Sequence, residues 1–240
     1  MSGQGTAMLA VAQAVPWETA LMTTAVCGAL LVLGERVDSQ LARWAFKPVA
    51  SLGFIAAALA AHTSVFGAYH DLWDVFEADD PASAIVIGLL LSWWGDVLLI
   101  PSSEIVFKSG ILAFLLGHLA YSVAFLRMGV DARGCGFAVL PVIPFAYIVL
   151  CWLMPDVPSD MVAPVIAYIL VICSMVVLSV GAYAAGADEL FPIGAIAFLF
   201  SDLFVARERF VAPGFVNRAI GLPLYYGSQL ILAAAIYRLV

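Results

Sequence analysis

The sequence predicts an all-α fold, a polytopic bundle of about eight transmembrane helices forming one domain over 1–240. Three observations carry that expectation. Of 240 residues, 64% are hydrophobic and only 11% charged, whereas a soluble domain holds about 45–50% apolar and about 25% charged residues. A globule of this length cannot bury so much apolar surface, so lipid is the economical solvent. The apolar residues also fall in runs of the ~20 residues that cross a hydrocarbon core. Finally, turn chemistry separates the runs, as at Asp79-Asp80-Pro81, Pro155-Asp156-Val157-Pro158 and Gly186-Ala187-Asp188.

The spans are expected at about 17–34, 47–66, 82–100, 109–127, 136–154, 161–180, 190–206 and 219–238. Met1 to Pro16 carries no Lys or Arg. A cleaved signal peptide needs a positive start, so this stretch reads as a short tail before the first span. Pro48 is placed at the opening of the second span, where a missing N–H costs little. Lys47 beside it either snorkels to the headgroups or pairs with a lipid phosphate. The loop at about 67–81 is acidic, with Asp71, Asp74, Glu77, Asp79 and Asp80. Glu104 and Lys108 form an i,i+4 solvated pair in the loop before the fourth span. Pro141, Pro144 and Pro164 are placed in or just inside the first turns of their helices, where kinks are expected. The tryptophans, Trp93 and Trp94 among them, suit interfacial anchoring.

The ten Lys and Arg are scattered in a chain of net charge −7. They form no basic patch, which excludes nucleic acid as a partner class. With both termini outside, the inner loops hold Arg36, Arg43, Lys47, Lys108, Arg207, Arg209 and Arg218, and the outer side holds Arg127, Arg133 and Arg238. Cytoplasmic loops favour Lys and Arg, so this is the preferred orientation.

Cys27, Cys135, Cys151 and Cys173 lie singly in or beside apolar runs. They read as free thiols packing as small hydrophobes. His62, His70 and His118 make no HxxxH or HExxH pair, so no metal site is indicated. An internal repeat is visible. Ile87-Gly88 is followed by Ser92, Gly95 and Asp96, and Ile193-Gly194 by Ser201 and Asp202. The two segments fall on the third and seventh spans, which run in the same direction. Two parallel four-helix halves, about 17–127 and 136–238, are therefore expected, an arrangement some transporters use.

An Asp within a span costs about 2.5–3.5 kcal/mol on insertion scales. Asp96 and Asp202 are thus the most anomalous residues of the chain, unless each reaches interfacial water at its helix end. His118 and Tyr121 share one face of the fourth span; Tyr225 and Gln229 share one face of the eighth. Either pair could simply be interhelical hydrogen-bond glue. Tyr168 lies mid-span in the sixth. No GxSxG elbow supports a serine hydrolase, and no Walker A loop supports ATP. What remains is a pair of carboxylates, suited to general acid–base chemistry without a cofactor. Two carboxylates sharing a cavity titrate apart, which supplies one acid and one base.

Several segments together resemble the YhhN family, the lysoplasmalogenases. They are Lys47-Pro48; Gly88 through Ser92-Trp93-Trp94-Gly95-Asp96 to Leu99; Phe114 through His118 to Tyr121; Gly194 through Ser201-Asp202-Leu203; and Tyr225-Tyr226-Gly227-Ser228-Gln229. The likeness runs from about Lys47 to the end. It implies hydrolysis of the vinyl ether of lysoplasmalogen to a fatty aldehyde and glycerophosphoethanolamine or glycerophosphocholine. Asp96 and Asp202 would be catalytic, with no metal and no cofactor. Lys47, Ser92, His118, Tyr121, Tyr168, Ser201, Tyr225 and Gln229 would bind substrate. The expected partners are a lysophospholipid within the bilayer and the membrane lipids, and the expected location is the bacterial inner membrane, with the site toward the cytoplasmic leaflet. The alternative is a proton-coupled transporter using the same two Asp as a relay. Headgroup preference, the acid-versus-base assignment and the oligomeric state stay open at this level.

Overall fold

The computed structural model describes residues 3–239. Its helices are α1 (Gly3–Gln13), α2 (Trp17–Arg36), α3 (Gln40–Phe66), α4 (Leu72–Glu77) and α5 (Pro81–Leu98), then α6 (Glu104–Met128), α7 (Ala132–Leu153), α8 (Val162–Ala184), α9 (Leu190–Ala206) and α10 (Phe215–Ala235). A π-helical turn, Arg207–Val211, extends α9. Eight described helices, all but α1 and α4, are long and apolar enough to cross a membrane. This is an integral membrane protein of the all-α class.

The predicted spans correspond to these eight helices, with corrections at their starts. The second begins at Gln40, because Ser39 caps it by accepting from the Ala42 N–H at 3.2 Å. Lys47 and Pro48 therefore lie inside a long helix, where the preceding turns already hold the chain. Glu104 and Lys108 open α6 instead of sitting in a loop, and Lys108 pairs with both Glu104 (2.8 Å) and Asp160 (2.6 Å). Asp131 starts α7 early by accepting from the Gly134 N–H at 2.8 Å, which puts Pro141 and Pro144 in its interior. Pro164 is in the first turn of α8, as expected. The tail and the acidic loop each contain a helix, α1 and α4. The second is closed by a capping box between Asp71 and Asp74.

The Ile-Gly signature has a packing reason. A Cβ on Gly88 would lie 2.4 Å from the Tyr121 ring of α6, and one on Gly194 would lie 2.9 Å from Leu232 of α10. Each Asp-bearing helix thus approaches the helix after it closely, and those are among the most extensive helix pairs of the bundle. Gly95 makes the same approach to Phe114, at 2.5 Å. Small residues at such crossings let membrane helices gain van der Waals contact. Gly88→Ala should therefore lower thermal stability in detergent by about 1–3 kcal/mol, since the fully buried Tyr121 has nowhere to retreat. Unchanged melting would show that this crossing can open.

One helix is poorly covered. α7 packs chiefly on α8, and Phe137, Leu140, Ile143, Tyr147 and Ile148 face outward. In a membrane this face meets lipid tails.

Candidate active site

Both aspartates face one cavity of about 570 Å³ at the basic end of the bundle. α5 and α9 deliver them, each about half a turn to one turn before the helix ends. Asp96 is 2% exposed. Its Oδ2 accepts from the Ser51 hydroxyl at 2.6 Å and the Tyr225 hydroxyl at 2.7 Å, and the Lys47 ammonium lies 3.2 Å from Oδ1. All three neighbours can donate to it, an arrangement that favours the ionised carboxylate. Lys47 and Ser51 are four apart on α3, and that spacing aims both at one target.

Asp202 has a different shell. The Tyr168 hydroxyl donates to its Oδ2 at 2.6 Å. Oδ1 has only the long 3.5 Å approach of Ser201, whose hydroxyl is also satisfied by the Phe198 carbonyl at 2.8 Å. His118 Nε2 stands 3.6 Å from Oδ2, beyond hydrogen-bond distance. Among the described residues no Lys or Arg pairs with Asp202.

An aromatic chain joins the two shells. Tyr225, bonded to Asp96, has its ring 5.5 Å from Phe198; Phe198 lies 4.4 Å from His118, beside Asp202. Of the residues singled out in the sequence, Lys47, Asp96, Tyr168, Ser201, Asp202 and Tyr225 line the cavity. Ser92, His118, Tyr121 and Gln229 lie behind it and are fully buried. Tyr121 donates to Gln229 Oε1 at 2.6 Å, tying α6 to α10. Among the described residues His118 has no hydrogen-bond partner at either ring nitrogen.

The cavity changes character with depth. Inward it is walled by Phe145 and Val149 of α7, Val165, Ile169, Ile172 and Cys173 of α8, and Leu199 of α9. From Val165 to Cys173 the helix advances about 12 Å at 1.5 Å per residue. That apolar slot suits a single hydrocarbon chain. Outward the mouth is polar. Arg43 grips Glu35 with two bonds of 2.9 and 2.8 Å and also bonds Asp38. That contact holds the Asp38 carboxyl, in the α2–α3 link, below its ordinary range. Arg218 bridges Glu35 (2.9 Å) and Glu208 (2.7 Å), and Glu208 also accepts from Asn217 at 2.7 Å. This network clamps the mouth ends of α2, α3, α9 and α10 together.

Ser51 and the Glu35–Arg218–Glu208 network were not singled out in the sequence. Ser51 was legible as the i+4 partner of Lys47 once α3 is started at Gln40. The network joins residues up to 183 positions apart, and no local pattern announces it.

The chain's sequence matches the model of the YhhN family over residues 42–236. It is 29% identical over 158 residues to "Lysoplasmalogenase TMEM86A" of Bos taurus, covering 63% of this chain and 64% of that protein. It is 31% identical over 162 residues to "Lysoplasmalogenase" of Mycobacterium bovis, covering 64% and 60%. It is 31% identical over 163 residues to "Lysoplasmalogenase TMEM86A" of Homo sapiens, covering 65% and 66%. The matched stretch spans less than two thirds of each relative's own length. No solved structure matches the chain.

Proposed function

The chain belongs to the YhhN family, and from that premise we propose that it is a membrane hydrolase that cleaves the vinyl ether bond of lysoplasmalogen. The products are a fatty aldehyde and the glycerophospho-headgroup. The observation that carries this reading is the single cavity in which two unlike carboxylates meet an apolar slot and a polar mouth. A single-chain lipid has the same order of parts: tail, ether, glycerol, headgroup. The names of the relatives support the substrate class.

The roles follow from the two shells. Vinyl ether hydrolysis begins with proton transfer to the β-carbon, which leaves an oxocarbenium ion. Water adds to the ether-bearing carbon, and the hemiacetal collapses, expelling the glycerol hydroxyl and leaving the aldehyde. Asp202 is the acid: among the described residues no lysine or arginine pairs with it, and Oδ1 is left to carry the transferable proton while Oδ2 is held by Tyr168. Asp96, held ionised by Lys47, Ser51 and Tyr225, stabilises the cation and takes a proton from the attacking water. In the collapse Asp96 passes the proton it took to the departing glycerol oxygen while Asp202 takes the hemiacetal hydroxyl proton, so both carboxyls return to their starting states and one water is consumed. His118, Tyr121, Gln229 and Ser92 support the site from behind its wall. With the basic end inside, as Lys and Arg usage favours, the cavity opens toward the cytoplasmic leaflet.

A relay for proton-coupled transport would use the same two Asp. Transporter sites commonly lie on helices broken near the membrane midplane, whereas α5 runs unbroken through Asp96 and α9 through Asp202. Helix continuity therefore supports the hydrolase over the transporter.

The purified protein is expected to release aldehyde from an alkenyl lysophospholipid and no fatty acid from the acyl analogue. Chelator should leave the rate unchanged, since the described His, Cys, Asp and Glu form no group of three suited to a metal. Equal turnover of the acyl lipid, or inactivation by chelator that zinc reverses, would refute the assignment.

A further inference from the structure

The sequence offered Lys47 as the partner of a lipid phosphate. The geometry commits Lys47 to Asp96 instead, 3.2 Å away. Four cations line the cavity: Arg43, Lys47, Arg209 and Arg218. Arg43 is spent on Glu35 and Asp38, and Arg218 on Glu35 and Glu208. Arg209 is left; among the described residues no carboxylate pairs with it. Its guanidinium carbon lies over the Phe107 ring, 4.1 Å from the centroid, and the residue is exposed at the mouth. An arginine packed over an aromatic ring and bound to no carboxylate still has N–H donors to offer an oxyanion in a forked contact.

Position adds a second argument. Arg209 follows Asp202 by seven residues, which places it nearly two turns further toward the mouth, about 10 Å along the axis. The phosphorus of a glycerophospholipid stands five bonds from the ether oxygen at the first glycerol carbon. An extended chain advances about 1.2 Å per bond, judged from three backbone bonds spanning ~3.6 Å. That gives about 6 Å. A charge-assisted hydrogen bond adds about 2.8 Å. A lipid whose vinyl ether lies at Asp202 therefore brings its phosphate to the level of Arg209.

We propose that Arg209 is the phosphate anchor of the cavity, binding the phosphodiester of a single-chain lipid whose ether bond lies at the carboxylates. This rests on the reading of the site as a lysoplasmalogen hydrolase. Arg209 is a binding residue that acts on the ester and headgroup end; it takes no part in proton transfer. The π-helical turn Arg207–Val211 contributes by widening the helix where Arg209 leaves it.

The test compares wild type with Arg209→Ala and Arg209→Lys in detergent, on alkenyl lysophosphatidylethanolamine and on 1-alkenylglycerol, which lacks the phosphate. Arg209→Ala should raise KM for the phospholipid about ten- to hundredfold, the range expected for loss of a charged hydrogen bond, with kcat near wild type. It should leave 1-alkenylglycerol turnover unchanged, and Arg209→Lys should fall between. A binding arm uses the uncleavable 1-alkyl lysophosphatidylethanolamine against 1-alkylglycerol, followed by thermal stabilisation. If wild type cleaves nothing yet binds the phospholipid at least tenfold tighter, and Arg209→Ala erases that difference, the anchor stands and only the hydrolase reading falls. Equal effects on both lipids, no effect on either, or displacement of the phospholipid by an equal concentration of inorganic phosphate would overturn it.

Discussion

Asp202→Asn is expected to lower aldehyde release by about 10²–10⁴-fold, the usual worth of a general acid, with the fold intact. Asparagine has the shape of aspartate, and its Oδ1 can still accept from the Tyr168 hydroxyl that now lies 2.6 Å from Asp202. What it lacks is a proton to give to carbon. Because an amide is cheaper to bury than a carboxylate, melting in detergent should hold or rise. Asp96→Asn should reduce turnover comparably for another reason: the negative charge opposite the oxocarbenium is gone, while Lys47 stays. The measurement is single-turnover aldehyde release beside a melting curve for each variant. Near-normal turnover by a well-folded Asp202→Asn protein would remove that residue from the mechanism.

Lys47→Met should be the most damaging single change to stability, costing about 3–5 kcal/mol, because breaking a buried pair leaves an uncompensated charge. The side chains of Lys47 and Asp96 are only 13% and 3% exposed. Ser51 and Tyr225 would remain on Asp96, and neither can neutralise it. The double variant Lys47→Met/Asp96→Asn should regain most of the loss in melting temperature while staying inactive. Additive losses in the double variant would mean that Lys47 packs against the helix rather than balancing Asp96. The same pair of measurements separates the stabilising role of the ion pair from its catalytic one.

The sequence by itself determined the solvent, the number of spans and the two in-span carboxylates that face the cavity. Composition and run length decide burial in lipid, because a bilayer core demands about 20 apolar residues per crossing whatever the topology. An Asp inside such a run stands out for the same reason: its cost is local and readable from one helix. The Ile-Gly pairs were legible as a pattern, and Tyr121 and Leu232 supply the contact that explains them. Helix starts were less legible. A single capping oxygen, as from Ser39 or Asp131, adds a turn or more that hydropathy does not register. That error placed Lys47 at the headgroups and hid its partnership with Ser51.

Tertiary structure decided which polar residues face the cavity and which tie helices behind it. Tyr225 and Gln229 share a face of α10 by spacing, yet Tyr225 reaches Asp96 while Gln229 is taken by Tyr121. It also decided which cations are free. Arg43, Arg209 and Arg218 are equivalent in composition, and only the folded mouth binds two of them to Glu35 and leaves the third over Phe107. The difference between the two carboxylates has the same origin. Asp96 and Asp202 each follow an Ile-Gly pair by eight residues, and their unlike surroundings come from partners on α3, α8 and α10 that the sequence cannot bring together. Periodicity along one helix says which residues share a face; what that face meets is set by helix crossings between segments far apart in the chain.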